Sequence, residues 1–245
     1  FEDAIKRART VAETGARQAL EGLAVGRRSS FETMDEEQQA QRRRLRAHGR
    51  QLGDTRDRDG TQTIERLVRE VAYEHWHRML FARFLAENHL LIEPDSGVAI
   101  PLEECAELAR ERGEDPWALA ASFAQGMLPQ IFRAGDPALE VTLPPETRQA
   151  LQSLLAGLPK TVFLADDSLG WTYQFWQSAE KEAVNARVKS GEKITGETLP
   201  AVTQLFTEPY MVKFLLQNTL GAWHAGKTLQ EAMRKKAASE QDLRD

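Results

Sequence analysis

Residues 199–224 read LPAVTQLFTEPYMVKFLLQNTLGAWH, a segment rich in large apolar side chains. Thr207 is a favourable N-cap residue, and Glu208 and Pro209 suit the first turn of a helix. Apolar residues recur with helical spacing at positions 206, 210/211, 214/215 and 219/220. The sequence therefore predicts a helix that begins near Thr207, with unpaired N–H groups at its start that can bind an anion.

A second segment, SLGWTYQFWQS at residues 168–178, is dense in aromatic residues. Together, the two segments resemble the region just before the catalytic domain in large bacterial DNA adenine-N6 methyltransferases of phage-defence systems. These are the PglX-like enzymes of BREX and the related methylase of DISARM. The resemblance covers the last third of the chain closely and residues 72–86, AYEHWHRMLFARFLA, more loosely. In that family, F-T-x-x-[YW]-[MI]-V is methyltransferase motif X, which packs beside S-adenosylmethionine and precedes motif I.

The resemblance implies three cofactor-binding residues. Phe206 would pack against S-adenosylmethionine, and Tyr210 would line the same wall. The Thr207 hydroxyl and the helix N-terminus would face the methionyl carboxylate of the cofactor. The alternative is that Phe206 and Tyr210 are ordinary packing residues. Many relatives have proline directly after F-T, whereas this chain has Glu208, whose carboxylate would repel the cofactor if it pointed inward.

The motifs that carry methyl transfer are missing from the sequence, which contains neither D-P-x-C-G-[ST]-G nor [ND]-P-P-[YF]. Asp136-Pro137-Ala138 matches the first residues, D-P-x, of motif I. However, Leu139 and Glu140 follow where glycines would let the backbone approach a cofactor. The resemblance implies that the parent enzyme is a site-specific DNA adenine-N6 methyltransferase. In this chain alone, we expect no catalytic residue, no activity, and weak or no binding of S-adenosylmethionine.

The composition is that of an ordinary globular protein: 245 residues, 41% hydrophobic and 28% charged, with a net charge of −5. This length allows one or two domains with a core. No apolar run approaches the roughly 18–20 residues that cross a bilayer, so we expect a cytoplasmic protein without a membrane partner. The single cysteine, Cys105, excludes an internal disulfide and a multi-cysteine zinc site. Because the chain begins with Phe1, we expect a fragment of a longer polypeptide.

Helical periodicity predominates, so the expected fold is mainly α, with at most short β segments. By resemblance it is the multi-helix N-terminal domain of a class I methyltransferase, without the catalytic Rossmann-like sheet. Within it, the strongest helix is expected at about residues 61–89, a loop or short hairpin at 88–101, and a short strand or buried coil at 162–164. Four regions are expected: a helical arm or hairpin (1–55), a helical core domain (56–190), a connection and motif X helix leading into the absent methylase domain (191–226), and a charged C-terminal segment (227–245).

The helix expected at about residues 31–52 has few apolar residues, so we expect it to protrude and to pack on a partner outside this chain. Guanidinium groups on its successive turns could follow a DNA phosphate backbone. The alternative is a solvated face balanced by the acidic residues at its start. The candidate DNA-binding residues are Arg42, Arg43, Arg44 and Arg46, and the acidic residues are Asp35, Glu36 and Glu37.

Two other groups of residues allow a structural and a functional interpretation. The aromatic residues of 168–178 are typical of a core helix or, alternatively, of a platform on which nucleic-acid bases stack. His75 and His77 could suggest a metal site. They project on different sides of a helix and have no evident third ligand, so we expect none.

Two alternative functions are compatible with these observations. The first is the N-terminal helical domain of an S-adenosylmethionine-dependent DNA adenine-N6 methyltransferase from a restriction-modification or phage-defence system. It would scaffold the methylase domain and, through the full enzyme, contact double-stranded DNA and phage-defence or restriction subunits. The second is a non-enzymatic helical protein-interaction module whose aromatic helix docks a partner.

Overall fold

The computed structural model describes residues 1–130, 132–133, 135–165, 167–196, 198–203 and 207–242. Within these residues the chain is mainly helical and forms no β-sheet, only the isolated bridges Arg56–Gln62 and Ile92–Ala99. The expected mainly α fold is therefore confirmed. The helices are α1 (Glu2–Gly22), α2 (Glu36–Gln51), α3 (Glu65–Glu87), α4 (Leu102–Arg112), α5 (Pro116–Met127), α6 (Pro145–Ala156), α7 (Lys160–Phe163), α8 (Ser168–Lys189), α9 (Leu199–Thr203), α10 (Pro209–Leu216) and α11 (Ala222–Asp242), with a π-helical turn at Gln217–Gly221.

The chain divides into two compact units, Phe1–Ala201 and Val202–Asp245. The first unit contains both the expected arm, residues 1–55, and the expected core domain, residues 56–190. The second contains the motif X helix and the charged C-terminal segment. None of the helices in the described residues combines the length and the apolar character needed to cross a membrane.

Helix α3 lies at the centre of the first unit because apolar side chains cover more than one of its faces. Leu67 and Trp76 belong to a core that α3 shares with α1, α6 and α8. Leu85, nearer the C-terminal end of α3, packs into a second core with α4 and α5. Helix α3 thus joins two cores, and it lies within the helix expected at about residues 61–89.

Helix α1 is buried against α3 and does not form part of an arm. Its inward side carries small residues at helical spacing, and Ala8, Ala12 and Ala16 are fully buried. A Cβ added at Gly15 would lie 2.8 Å from the Thr147 Cβ of α6 and closer still to the Thr147 Cγ2 and Oγ1 atoms. Small side chains therefore allow α1 to approach its neighbours closely.

Helix α2 also packs within the first unit, which differs from the expected protruding helix. Asp35 caps it with a capping box that includes Gln38. Leu45 is fully buried, and Gly49 lies close to α3, where its Cβ would be 3.6 Å from the Leu67 Cβ. The expectation considered only apolar side chains, whereas Arg42 and Arg46 of α2 also donate hydrogen bonds to the neighbouring loops.

Local structure agrees with the sequence at the predicted hairpin and differs at 162–164. Ile92 and Ala99 pair in the hairpin, where the Ile100 N–H donates to the Leu91 carbonyl at 2.9 Å. The segment expected to be a strand or coil instead belongs mostly to α7, which follows Pro159 and buries Phe163. Proline fixes the backbone just before a helical turn, and this local effect outweighs the β-branched Val162.

Candidate functional site

The predicted motif X helix is present as α10, but it begins one residue later than expected. Pro209 occupies the first helical position, and Glu208 is the N-cap. The Glu208 carbonyl accepts the backbone N–H of Met211 at 2.9 Å. Proline is favoured at the first helical position because its φ angle suits a helix and it has no N–H to leave unpaired. The prediction that Thr207 is the N-cap is therefore wrong.

The three predicted cofactor-binding residues occur around the start of α10. Thr207 is exposed, and 66% of the Tyr210 surface is exposed. Phe206 lies outside the described residues. The exposed Thr207 and Tyr210 side chains are accessible to a ligand or to another polypeptide. The roles that the resemblance implies for these residues stay predictions.

Large apolar side chains are exposed along α10 and beyond it. The exposed fraction is 63% for Phe214 and 64% for Trp223. Exposed apolar side chains at this density are typical of a surface that binds a ligand, a membrane or another protein. We call these residues the apolar surface: Tyr210, Met211, Val212, Phe214, Leu215, Leu216, Leu220 and Trp223.

Arg46, a predicted DNA contact, is instead held inside the first unit and is only 8% exposed. Its Nη1 atom donates to the carbonyls of Val25, at 2.7 Å, and Arg27. Its Nη2 atom donates to the Gly60 carbonyl at 2.8 Å. Burial lowers the pKa of Arg46, and the charges of nearby arginines lower it further. One guanidinium thus holds the loops on both sides of α2.

The other three predicted DNA contacts differ from one another. Arg42 Nε donates to the Ala24 carbonyl at 2.9 Å, so this side chain also holds the loop after α1. Arg44 Nη2 pairs with the Glu140 carboxylate at 2.6 Å. Arg43 is exposed and, in the part of the chain that the structure describes, has no hydrogen bond or ion pair through its side chain. Of the four, Arg43 is therefore the most accessible to a phosphate.

The aromatic residues of α8 contribute to the core. Trp176 is 3% exposed and stacks on Trp76, with ring centroids 6.1 Å apart. Tyr73 meets the Trp176 ring edge-on at 5.8 Å, and burial raises the pKa of Tyr73. This packing favours the core interpretation for Trp176, whereas the other aromatic residues of α8 are half-buried.

His75 lies largely buried beside the segment that precedes α6. Burial lowers the pKa of His75 to about 4, although the Ala138 and Val141 carbonyls oppose this shift. Its imidazole is therefore neutral near pH 7. Among the described residues, no three His, Cys, Asp or Glu side chains are grouped as metal ligands.

The sequence analysis missed two buried polar residues that fix the arginine-bearing segments. Gln62 is 5% exposed; its N–H donates to the Gly26 carbonyl at 2.9 Å and its Nε2 to the Arg46 carbonyl at 3.1 Å. The Asp54 carboxylate accepts the backbone N–H of Leu67 in the first turn of α3 at 3.1 Å. Neither residue is part of a periodic pattern, so the sequence carries no signal for these long-range contacts.

Comparison with known proteins gives two relatives. The chain is 24% identical over 222 residues to "Adenine-specific methyltransferase PglX" of Lacticaseibacillus casei (strain Zhang), a match that covers 74% of this chain and 18% of the relative. It is 35% identical over 97 residues to "Adenine-specific methyltransferase BrxX" of Escherichia coli O9:H4 (strain HS), a match that covers 38% of this chain and 8% of that relative. The chain is thus related to PglX-like adenine-specific methyltransferases, although the matches span less than a fifth of either relative.

Two further comparisons gave no match. No family model matches the sequence. No solved structure is significantly similar to the fold.

Proposed function

We propose that this chain is the N-terminal helical domain of an S-adenosylmethionine-dependent DNA adenine-N6 methyltransferase from a phage-defence or restriction-modification system. The observation that carries this proposal is the similarity to two adenine-specific methyltransferases. The sequence F-T-E-P-Y-M-V at residues 206–212, which fits motif X of the resembled family, also supports it. The parent enzyme acts on double-stranded DNA, so we propose that it is located in the cytoplasm.

The domain scaffolds a catalytic domain that follows it in the parent enzyme. The apolar surface of α10 packs on that domain, since burial of large apolar side chains contributes about 25 cal/mol per Å². This docking also brings Phe206, Thr207 and Tyr210 to one wall of the S-adenosylmethionine pocket. In the reaction, the adenine amine attacks the sulfonium methyl group, S-adenosylhomocysteine leaves, and the amine loses a proton. Base extrusion and proton acceptance belong to the catalytic domain.

The proposal is tested with the complete gene product that contains residues 1–245. Incubation with duplex DNA and radiolabelled S-adenosylmethionine is expected to yield N6-methyladenine. Tyr210→Ala and Thr207→Ala should each raise the KM for S-adenosylmethionine, because each removes a contact with the bound cofactor. Thr228→Ala, at an exposed position in α11, is the matched control and should leave KM unchanged. Absence of methyl transfer by the unaltered protein would refute the proposal.

A non-enzymatic interaction module is the second candidate, because the exposed apolar surface by itself fits any partner protein. The gene downstream of Asp245 separates the two candidates. A glycine-rich motif I followed by N-P-P-[YF] supports the methyltransferase, and a gene without either motif supports the interaction module.

A further inference from the structure

Two loops meet beside α2 in the first unit. They are the α1–α2 loop, residues 23–35, and the α2–α3 loop, residues 52–64. The Gln62 N–H joins the loops by donating to the Gly26 carbonyl at 2.9 Å. Arg50 Nη1 of α2 donates to Gln62 Oε1 at 3.0 Å. Three segments that are separate in the sequence therefore share one surface.

All three segments carry exposed arginines. Arg28 lies next to Gly60, whose added Cβ would be 3.1 Å from the Arg28 Cγ, and Arg56 pairs with Gln62 across a β-bridge. Among the residues that the structure describes, no exposed arginine of these three segments forms an ion pair with a carboxylate, except Arg44. We define the arginine patch as Arg27, Arg28, Arg50, Arg56 and Arg58.

The two loops carry five carboxylates, Glu32 and Asp35 in the first and Asp54, Asp57 and Asp59 in the second, and two of the aspartates in the second loop have structural roles. Asp54 is buried and accepts N–H groups at the start of α3. Asp59 Oδ1 accepts the Thr61 hydroxyl at 2.7 Å and the Thr61 N–H at 2.9 Å, and these bonds lower its pKa, with a smaller contribution from Arg28. The five patch arginines, together with Arg42 and Arg46, whose guanidinium groups donate to loop carbonyls, outnumber these five carboxylates, so the surface has a positive excess.

We propose that the arginine patch binds the phosphate backbone of double-stranded DNA, and that Arg42 and Arg46 position its loops without touching the DNA. The inference rests on the proposed function, which supplies DNA as the partner. Guanidinium groups held on a fixed framework can pair with successive phosphates, and each such contact releases counterions. A local positive surface also explains how a chain with a net charge of −5 can bind a polyanion.

The test compares two triple variants of the complete gene product. Arg28→Gln/Arg56→Gln/Arg58→Gln removes three charges from the arginine patch. Arg7→Gln/Arg110→Gln/Arg133→Gln, the matched control, removes three charges from exposed positions outside it. The Kd for a duplex is measured at several salt concentrations. The patch variant should bind the duplex more weakly, by about tenfold or more at about 0.1 M salt. The magnitude of its slope of log K against log salt should decrease by about 2 to 3.

A lysine version, Arg28→Lys/Arg56→Lys/Arg58→Lys, keeps the charges and should retain most of the salt slope, which separates electrostatics from misfolding. Equal duplex affinity and slope in the patch variant and the unaltered protein would overturn the inference. An equal loss in the control variant would overturn it as well. Methyl transfer is measured in parallel: failure of the unaltered protein to methylate refutes the proposed function, whereas duplex binding by itself decides the arginine patch.

Discussion

At the scale of single residues, Arg46 shows how a charged side chain can replace an apolar one at a helix contact. Its guanidinium donates three hydrogen bonds to carbonyls from both loops beside α2, and these bonds offset the cost of burying the charge. Arg43, three residues earlier on the same helix, is exposed. Residue type therefore does not separate a structural arginine from one that is free to bind a phosphate.

Arg46→Met should lower the free energy of unfolding by about 2–3 kcal/mol, because it leaves buried loop carbonyls without a donor. Arg43→Met, the matched control, should change it by less than about 0.5 kcal/mol, as is usual for exposed positions. Urea denaturation of both variants measures the difference. Equal effects would mean that Arg46 does not hold the loops.

His75 should make the stability of the protein depend on pH. Burial lowers its folded pKa to about 4, below the unfolded value of about 6.5. Between these values the unfolded chain binds a proton that the folded chain does not. Stability is therefore fully present above the unfolded pKa and is lost as pH falls. From about pH 7 to about pH 5, His75 should contribute a loss of about 2 kcal/mol.

His75→Gln should remove that share of the loss, whereas His224→Gln, at an exposed position, should leave the pH profile unchanged. Denaturation of each variant at both pH values gives the comparison. Burial also lowers the pKa of His77, so part of the pH dependence should persist in His75→Gln. An identical pH profile for His75→Gln and the unaltered protein would show that His75 is not buried as a neutral side chain.

At the scale of the elements, the packing of α1 against α6 depends on the absence of a side chain at Gly15. The space that a Cβ would occupy is filled by Thr147. Gly22, the last residue of α1, has no neighbouring atom within 4 Å of an added Cβ. The same substitution at these two positions therefore separates helix propensity from interhelical packing.

Gly15→Ala should lower the free energy of unfolding by about 1–3 kcal/mol, because the two helices must move apart. Gly22→Ala should leave it unchanged or raise it by up to about 1 kcal/mol through helix propensity. Thermal or urea unfolding measures both variants. A stabilised Gly15→Ala variant would contradict the close approach of α1 and α6.

At the scale of the whole molecule, the second unit carries the residues that we propose form one wall of the cofactor pocket. Thr207 and Tyr210 are exposed, and large apolar side chains are exposed along α10. The chain contains neither motif I nor N-P-P-[YF], which by resemblance belong to the rest of the cofactor and substrate site. An incomplete pocket leaves most of a ligand in water and contributes little affinity.

Residues 1–245 by themselves should therefore bind S-adenosylmethionine with a Kd weaker than about 1 mM, if at all. Isothermal titration calorimetry of the purified chain provides the measurement, with the complete gene product as the positive control. Micromolar binding by residues 1–245 would mean that the chain contains a full pocket of its own.

The sequence by itself determined the mainly helical class, the strongly periodic α3, and the relationship to adenine-specific methyltransferases. These features depend on local periodicity and on short sequence motifs, and both are formed by residues close together in the chain. Only the tertiary structure decided that α1 and α2 pack into the first unit and that Arg42 and Arg46 hold loops. It also brought Arg28, Arg50 and Arg56 onto one surface. The physical reason is that these outcomes depend on hydrogen bonds and close contacts between segments far apart in the chain, which no local pattern records.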